Sequence, residues 1–150
     1  GVQELHGVDL DAEPASVREL LASRGCSATL VQGTVDALPY AAGYFDLIIC
    51  FSVFEHLSDY RRALREVHRV LAPNGLFLLG MPAVNRTMNW LFHAIGHTTI
   101  NDVHVTTPQM IQDAFSTSGF RLASSRPLDV PSTRLGMRLY HNWLLQKTSS

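Results

Sequence analysis

The side chains able to do chemistry in this sequence stand at the ends of apolar runs. Asp9 closes the run His6-Gly7-Val8, and Phe51, Ser52, Glu55 and His56 stand at or just after the end of Leu47-Ile48-Ile49-Cys50-Phe51. An acid that ends a strand can accept two hydrogen bonds from a vicinal diol, which a ribose offers, or it can cap the helix that follows. Thr34 and Asp36 lie in the stretch Gly33 to Tyr40. There a threonine hydroxyl and backbone N–H groups could read the edge of a purine, or simply shape a turn. Glu55 and His56 are adjacent, so at the start of a helix they diverge by ~100° and would not face one ligand together. His56 or His104 is suited to take a proton from a hydroxyl near neutral pH.

Other constellations argue against particular chemistries. His93 and His97 are four apart, but Gly96 interrupts them and no third ligand is evident, so no metal site is expected. Ser52 has no glycine-rich elbow around it, which counts against a hydrolase. Cys26 and Cys50 make neither a disulfide framework nor a metal-ligand spacing, and with no signal peptide at the start they fit a reducing cytoplasm. A net charge of -1 leaves no basic footprint for nucleic acid. Arg61, Arg62, Arg65 and Arg69 cluster at helical spacing around Glu66 and His68, which reads as a solvated helix face or as a phosphate-binding patch. The apolar stretch Leu76 to Ile95 is broken by Pro82, Asn85, Arg86 and Asn89, so no membrane span is expected.

The elements that must position these groups follow from periodicity. With 150 residues, 46% of them hydrophobic, the chain suits one domain with one core. His6 to Asp11 reads as a strand. Glu13-Pro14 opens a helix with Val17, Leu20 and Leu21 on its apolar face, and Gly25 stops it. Ala28 to Gln32 is a second strand, and Gly33 to Tyr40 a loop. The run Leu47 to Phe51 is apolar on both alternating faces, which suits a strand buried on both sides. Ser58-Asp59 caps a helix whose stripe is Tyr60, Leu64, Val67 and Leu71, and Pro73-Asn74-Gly75 ends it. Leu76 to Met81 is the next strand. Asn85 to Ile95 reads as an inserted helix and His97 to Val105 as irregular. Thr107-Pro108 caps a helix through Phe115. Phe120 to Ser125 and Leu139 to Gln146 are the last strands, joined by a loop. Strand and helix alternate through Met81, which argues for parallel strands with helical crossovers.

Taken together the chain resembles the class I S-adenosylmethionine-dependent methyltransferases, most closely the broad small-molecule group. Five stretches carry the resemblance in order: Gly7-Val8-Asp9-Leu10-Asp11, Gly33 to Tyr40, Tyr44-Phe45-Asp46-Leu47-Ile48, Val53-Phe54-Glu55-His56-Leu57, and Glu66 to Gly75. The resemblance implies an α/β fold, a Rossmann-like sheet that is mostly parallel with an antiparallel last strand. It implies S-adenosyl-L-methionine as cofactor and a small-molecule methyl acceptor, with neither nucleic acid nor membrane as partner. It also implies residue roles. Asp9 would hold the ribose hydroxyls, and Leu10 would pack beside the adenine. Thr34 stands where the family has an acid contacting the adenine amino group, so that contact is weakened, moved to Asp36 or lost. Val35 would offer its N–H to the adenine ring. Phe51 and Ser52 would line the methionine end. Glu55 and His56 would lie beside the methyl donor and acceptor.

Two departures shape the expectation. The family's first strand and its glycine-rich loop belong before Gly7, and no Gly-x-Gly-x-Gly occurs here. The chain is therefore expected to be part of a longer enzyme, its missing strand lying between the Asp9 strand and the Leu47 strand. Ubiquinone-pathway O-methyltransferases look similar around Glu55-His56 but carry a further Glu where Ser52 stands, so no divalent cation is expected. The segment 85–105 is expected to be a substrate lid, with Asn85 and Trp90 contacting the acceptor. Trp90, Phe92 and Ile95 would form an apolar cover, pack on the core, or meet a second subunit in a homodimer. Two rival readings remain: a non-catalytic binding or scaffold protein that kept the fold, and a nicotinamide dehydrogenase, which would give Glu55 and His56 no job.

Overall fold

A computed structural model describes residues 2–10, 15–83, 105–129 and 138–148. The expected inserted helix at 85–95, and with it Asn85, Trp90 and His104, lies outside the described residues. The elements in order are β1 (His6–Asp9), α1 (Ala15–Ser23), β2 (Thr29–Gln32), β3 (Phe45–Phe51), a 3-10 turn (Phe54–His56), α2 (Tyr60–Val70), β4 (Leu71–Pro82), α3 (Pro108–Ala114), a second 3-10 turn (Ser116–Ser118), β5 (Phe120–Ser125), β6 (Leu128–Asp129) and β7 (Arg138–Lys147). The short β6 falls where a plain loop was expected.

The main sheet has the order β3-β4-β7-β5, with β6 also beside β7. β3 and β4 are parallel, and β7 is antiparallel to β4, β5 and β6. So β3, β4, β5 and β6 all run one way and β7 alone runs back. This is the mostly parallel sheet with a reversed last strand that the resemblance implies.

α2 forms because Asp59 caps it, its Oδ1 accepting from the Arg62 amide at 3.1 Å, and because its apolar positions recur on one stripe. Tyr60, Ala63, Leu64, Val67 and Val70 are buried. The helix stops at Val70, earlier than expected. Leu71 is already extended (φ -72°, ψ 139°) and leads straight into β4. The turn at Pro73-Asn74-Gly75 instead lies within β4, where Asn74 takes a left-handed φ of 62°. There the pairing with β3 jumps from Phe45–Leu71 to Leu47–Leu76.

The core lies on one face of this sheet. Phe77, Leu79 and Met81 of β4 and Trp143 and Leu145 of β7 pack with Leu64 and Val67 of α2 and with Ile111 and Phe115 at α3. α3 is held by Thr107, whose hydroxyl accepts from the Met110 amide at 3.3 Å, and by Pro108 in its first turn. Each fully buried Leu or Phe here contributes roughly 1.5–3 kcal/mol.

The opposite face of β3 is uncovered among the described residues. Ile48 and Cys50 of β3 pack against the core, but Leu47, Ile49 and Phe51 are 49%, 58% and 45% exposed. Both described helices that bury residues, α2 and α3, contribute to the one core, and no described element covers the other face of β3. The apolar face expected of α1 is bare as well, since Val17 and Leu20 are exposed.

β1 and β2 pair in parallel as a separate two-stranded sheet, His6 opposite Thr29 through Asp9 opposite Gln32. The break between β1 and β3 falls where the family's further strand was expected. Aromatic rings span it. The His6 ring lies 5.3 Å from Tyr40, 5.5 Å from Tyr44 and 5.5 Å from Phe45, in edge-on contacts. The starts of β1 and β3 are thus held side by side.

His68 gives a testable consequence. Its ring meets Phe120 edge-on, its Nε2 is buried without a hydrogen-bond partner among the described residues, and a Cβ at Gly119 would come within 2.5 Å of it. Burial, helped by the nearby Lys147 charge, holds its pKa below the ordinary 6.5. The unfolded chain therefore binds this proton more readily than the folded one, so stability is fully present above pH 6.5 and is lost as pH falls below it. Urea midpoints measured from about pH 7.5 down to about 5 should fall, and His68→Phe should flatten that slope. An unchanged slope would remove His68 as its source.

Candidate functional site

The carboxyl ends of β1, β2, β3 and β4 carry the chemistry-bearing residues, as expected for ligands of an open α/β sheet. The end of β1 is strapped to the loop after β2. The Gly33 amide donates to the Asp9 carbonyl at 2.8 Å, and Gln32 Nε2 donates to the Leu10 carbonyl at 3.0 Å. Asp9 and Leu10 are exposed at that end.

The loop from Gly33 turns tightly, with the Ala37 amide donating to the Thr34 carbonyl at 3.1 Å. A hydrogen bond from Thr34 holds the Asp36 carboxyl below its usual value, and the Arg62 guanidinium, 3.6 Å away, adds to this. Val35 and Leu38 turn their side chains onto the core. Thr34 and Asp36 therefore come together, and both stand in the loop that the resemblance assigns to adenine.

α2 clamps this loop. Glu66 Oε1 accepts from the Leu38 amide at 2.9 Å. Arg69 grips Glu66 through Nε and one terminal nitrogen, at 2.8 and 2.7 Å. Its guanidinium also donates to the carbonyls of Tyr40 at 2.8 Å and Leu38 at 3.1 Å. The hydrogen bond from Arg69 pulls the Glu66 carboxyl below its ordinary value. The arginine cluster is thus neither a plain solvated face nor a phosphate patch at Arg62 and Arg69, since both fasten the loop. The signal for Arg69 in the sequence was its i,i+3 spacing from Glu66. What it would hold was not legible, because Leu38 and Tyr40 are 31 and 29 residues away.

At the end of β3, Ser52 has φ 54°, a left-handed conformation that costs a non-glycine residue about 1–2 kcal/mol. It is kept there by its amide, which donates to the Gly80 carbonyl at 3.1 Å, and by its hydroxyl, 2.8 Å from the Tyr140 hydroxyl. Gly80 has no room for a side chain. A Cβ there would overlap the Phe51 ring and come within 2.6 Å of Tyr140 Cε1. Sequence reasoning did not single out Tyr140 or Gly80, and no local pattern marks them.

Glu55 and His56 differ in burial, yet their side chains come within ion-pair range of each other. Glu55 is 2% exposed and faces the interior, which puts its carboxylate beneath the rim, whereas the His56 side chain is 46% exposed. Glu55 Oε1 is 3.9 Å from His56 Nε2, and its Oε2 is buried without a partner among the described residues. The Glu55 carbonyl accepts from the amides of Val105 at 2.9 Å and Thr106 at 3.2 Å, and Thr106 Oγ donates to the Leu57 carbonyl at 2.5 Å. Burial, then the Glu55 charge, pushes the Cys50 thiol up to about 12, so it is no nucleophile. Among the described residues no group of three or more His, Cys, Asp and Glu converges that could hold a metal, and no helix is long and apolar enough to cross a membrane.

Comparison with known proteins agrees with this geometry. A methyltransferase domain family matches residues 1–79. An uncharacterized methyltransferase, YcgJ of Bacillus subtilis, is 42% identical over 80 residues, which is 52% of this chain and 32% of that protein. The demethylmenaquinone methyltransferase of Thermus thermophilus is 36% identical over 69 residues, 45% of this chain and 31% of its own length. The matched stretch thus spans about a third of these relatives. The crystal structure of Bacillus YcgJ superposes with a TM-score of 0.69 at 21% identity, covering 99% of this chain and 84% of that one. A methyltransferase from Methanosarcina mazei, described as S-adenosylmethionine-dependent, superposes with a TM-score of 0.73 at 18% identity, covering 98% and 83%. With more than half its residues matched, and with its rim built at the carboxyl ends of a Rossmann-like sheet, the chain belongs to the methyltransferase domain family.

Proposed function

We propose that the protein built on this chain transfers a methyl group from S-adenosylmethionine to a small apolar molecule. The observation that carries this is the placing of Asp9 and Ser52 at the carboxyl ends of β1 and β3, whose starts meet through the His6 and Phe45 rings, with the Gly33–Tyr40 loop after β2 clamped by α2. The residues fit the adenosyl half of the cofactor. Exposed Asp9 would hold the ribose hydroxyls, with Leu10 against the adenine and the Thr34-Val35-Asp36 turn at its edge. Phe51 and Ser52 would border the methionine end. The described residues include no glycine-rich loop for its carboxylate.

The bound cofactor supplies an activated methyl on a sulfonium leaving group. What remains for the chain's own residues is positioning, which can supply much of the rate. His56, exposed at the rim, takes the proton from an acceptor hydroxyl. The buried Glu55 instead holds Val105 and Thr106 through its backbone, fixing where the segment after the 85–105 insertion rejoins the core. Two relatives are named for demethylmenaquinone methylation and ubiquinone biosynthesis, which supports an apolar ring acceptor. Nothing among the matches favours a non-catalytic scaffold.

Calorimetry with S-adenosylhomocysteine on the complete gene product tests the reading, and absence of binding would overturn it. Asp9→Ala should weaken that binding at least about tenfold, the worth of one to two hydrogen bonds. An unaltered affinity removes Asp9 from the site. His56→Ala should leave S-adenosylhomocysteine affinity intact and cut turnover by about a hundredfold or more; full turnover clears His56 of proton transfer. Arg69→Ala should destabilise the fold by about 1–2 kcal/mol, because its hydrogen bonds are partly exposed. It should also weaken cofactor binding several-fold by loosening the loop. Arg69→Lys should not restore either, since an ammonium lacks the fork that spans Glu66 and two carbonyls.

A further inference from the structure

Along the rim the ribose-binding acid, Asp9, stands on one side of the gap and Ser52 on the other. Tyr140 lies farther out, because β7 is the second strand beyond β3 and Tyr140 pairs with Pro82 at the carboxyl end of β4. If Asp9 marks the adenosine end, the Ser52–Tyr140 pair stands at the acceptor end. Three independent features show that the pair is held in place. Ser52 keeps a left-handed backbone that no tight turn of glycine relieves. Gly80 lacks the side chain that would otherwise collide with the rings of Phe51 and Tyr140, which close over it 6.1 Å apart at 37°. The end of β4 is fastened to β7 by the Ala83 amide, which donates to the Leu139 carbonyl at 2.9 Å.

We propose that the Ser52 and Tyr140 hydroxyls form an acceptor-oxygen site, which selects a flat apolar molecule bearing a hydroxyl or phenolate. When two hydroxyls bond each other, one proton is shared between them and the other stays free to donate, while lone pairs remain to accept. A substrate hydroxyl can use the free proton and a lone pair at once, whereas a hydrocarbon would strip water from them and return no hydrogen bond. The exposed Phe51 ring and the Tyr140 ring supply apolar walls, and Ile49 and Leu47 continue the apolar surface along β3. Tyr140 is thus a specificity-determining residue for the reaction, and the placing of its site rests on the methyltransferase reading above.

The test compares 1-naphthol with naphthalene, ligands that differ by one hydroxyl, on the full-length protein. Binding is followed by fluorescence with and without S-adenosylhomocysteine. The wild type should prefer 1-naphthol by about tenfold, one hydrogen bond's worth. Tyr140→Phe, which keeps the ring, should reduce that preference to under about threefold with S-adenosylhomocysteine affinity unchanged, and Ser52→Ala should reduce the preference as far. In turnover the same variants should raise KM for 1-naphthol more than they lower kcat. A wild type that binds both ligands equally, or a preference that survives both substitutions, overturns the proposal. Failure to bind S-adenosylhomocysteine would instead strike the methyltransferase reading, because the naphthol preference is scored in its absence too.

Discussion

The structure depends on the burial of one face of the β3-β4-β7-β5 sheet. Phe77, Leu79, Trp143 and Leu145 supply the sheet side, and Leu64, Val67, Ile111 and Phe115 the helix side. Removing such groups from water is the dominant favourable term in folding. Because this contact pins α2 to the sheet, the polar side of α2 is fixed as well. Glu66 and Arg69 then reach the Gly33–Tyr40 loop at defined distances. The loop that puts Val35 and Leu38 on the core is also fastened by the polar side of that helix.

The rim is built on the same economy of means. Backbone hydrogen bonds set the ends of the strands: Gly33 to Asp9 on one side of the gap, Ser52 to Gly80 on the other. Ser52 is strained, and such strain persists only where the surroundings over-determine it. Here the ladder to Gly80 and the hydroxyl of Tyr140 do so. Backbone strain of this kind is common in sites that must hold a ligand in one geometry.

Among the described residues only one face of β3 is covered. Leu47, Ile49 and Phe51 alternate with Ile48 and Cys50, and that pattern belongs to strands covered on both faces. The chain holds the inner residues in the core and leaves the outer three at the surface. Strand pattern reports what a strand is suited to meet; whether a layer is there to meet it is a property of the rest of the chain.

Much was legible before any coordinates. Caps at Asp59 and Thr107 located two helices, because a capping side chain bonds an amide only a few residues away. The apolar runs located β3, most of β4, β5 and β7, and the acids and hydroxyls at their ends were visible as rim candidates. The early end of α2 was not visible, since Leu71 is buried either way and apolar periodicity cannot say whether it closes a helix or opens a strand. The sequence by itself determined most of the described elements, their order, and which chemical groups end them, because those depend on contacts within a few residues; the short β6, made by pairing with β7, was not among them. Only the tertiary structure decided that β7 lies between β4 and β5, and hence that Tyr140 meets Ser52 across 88 residues. Strand neighbours are chosen by backbone ladders and a shared core, and those interactions leave no signature in any short stretch of sequence.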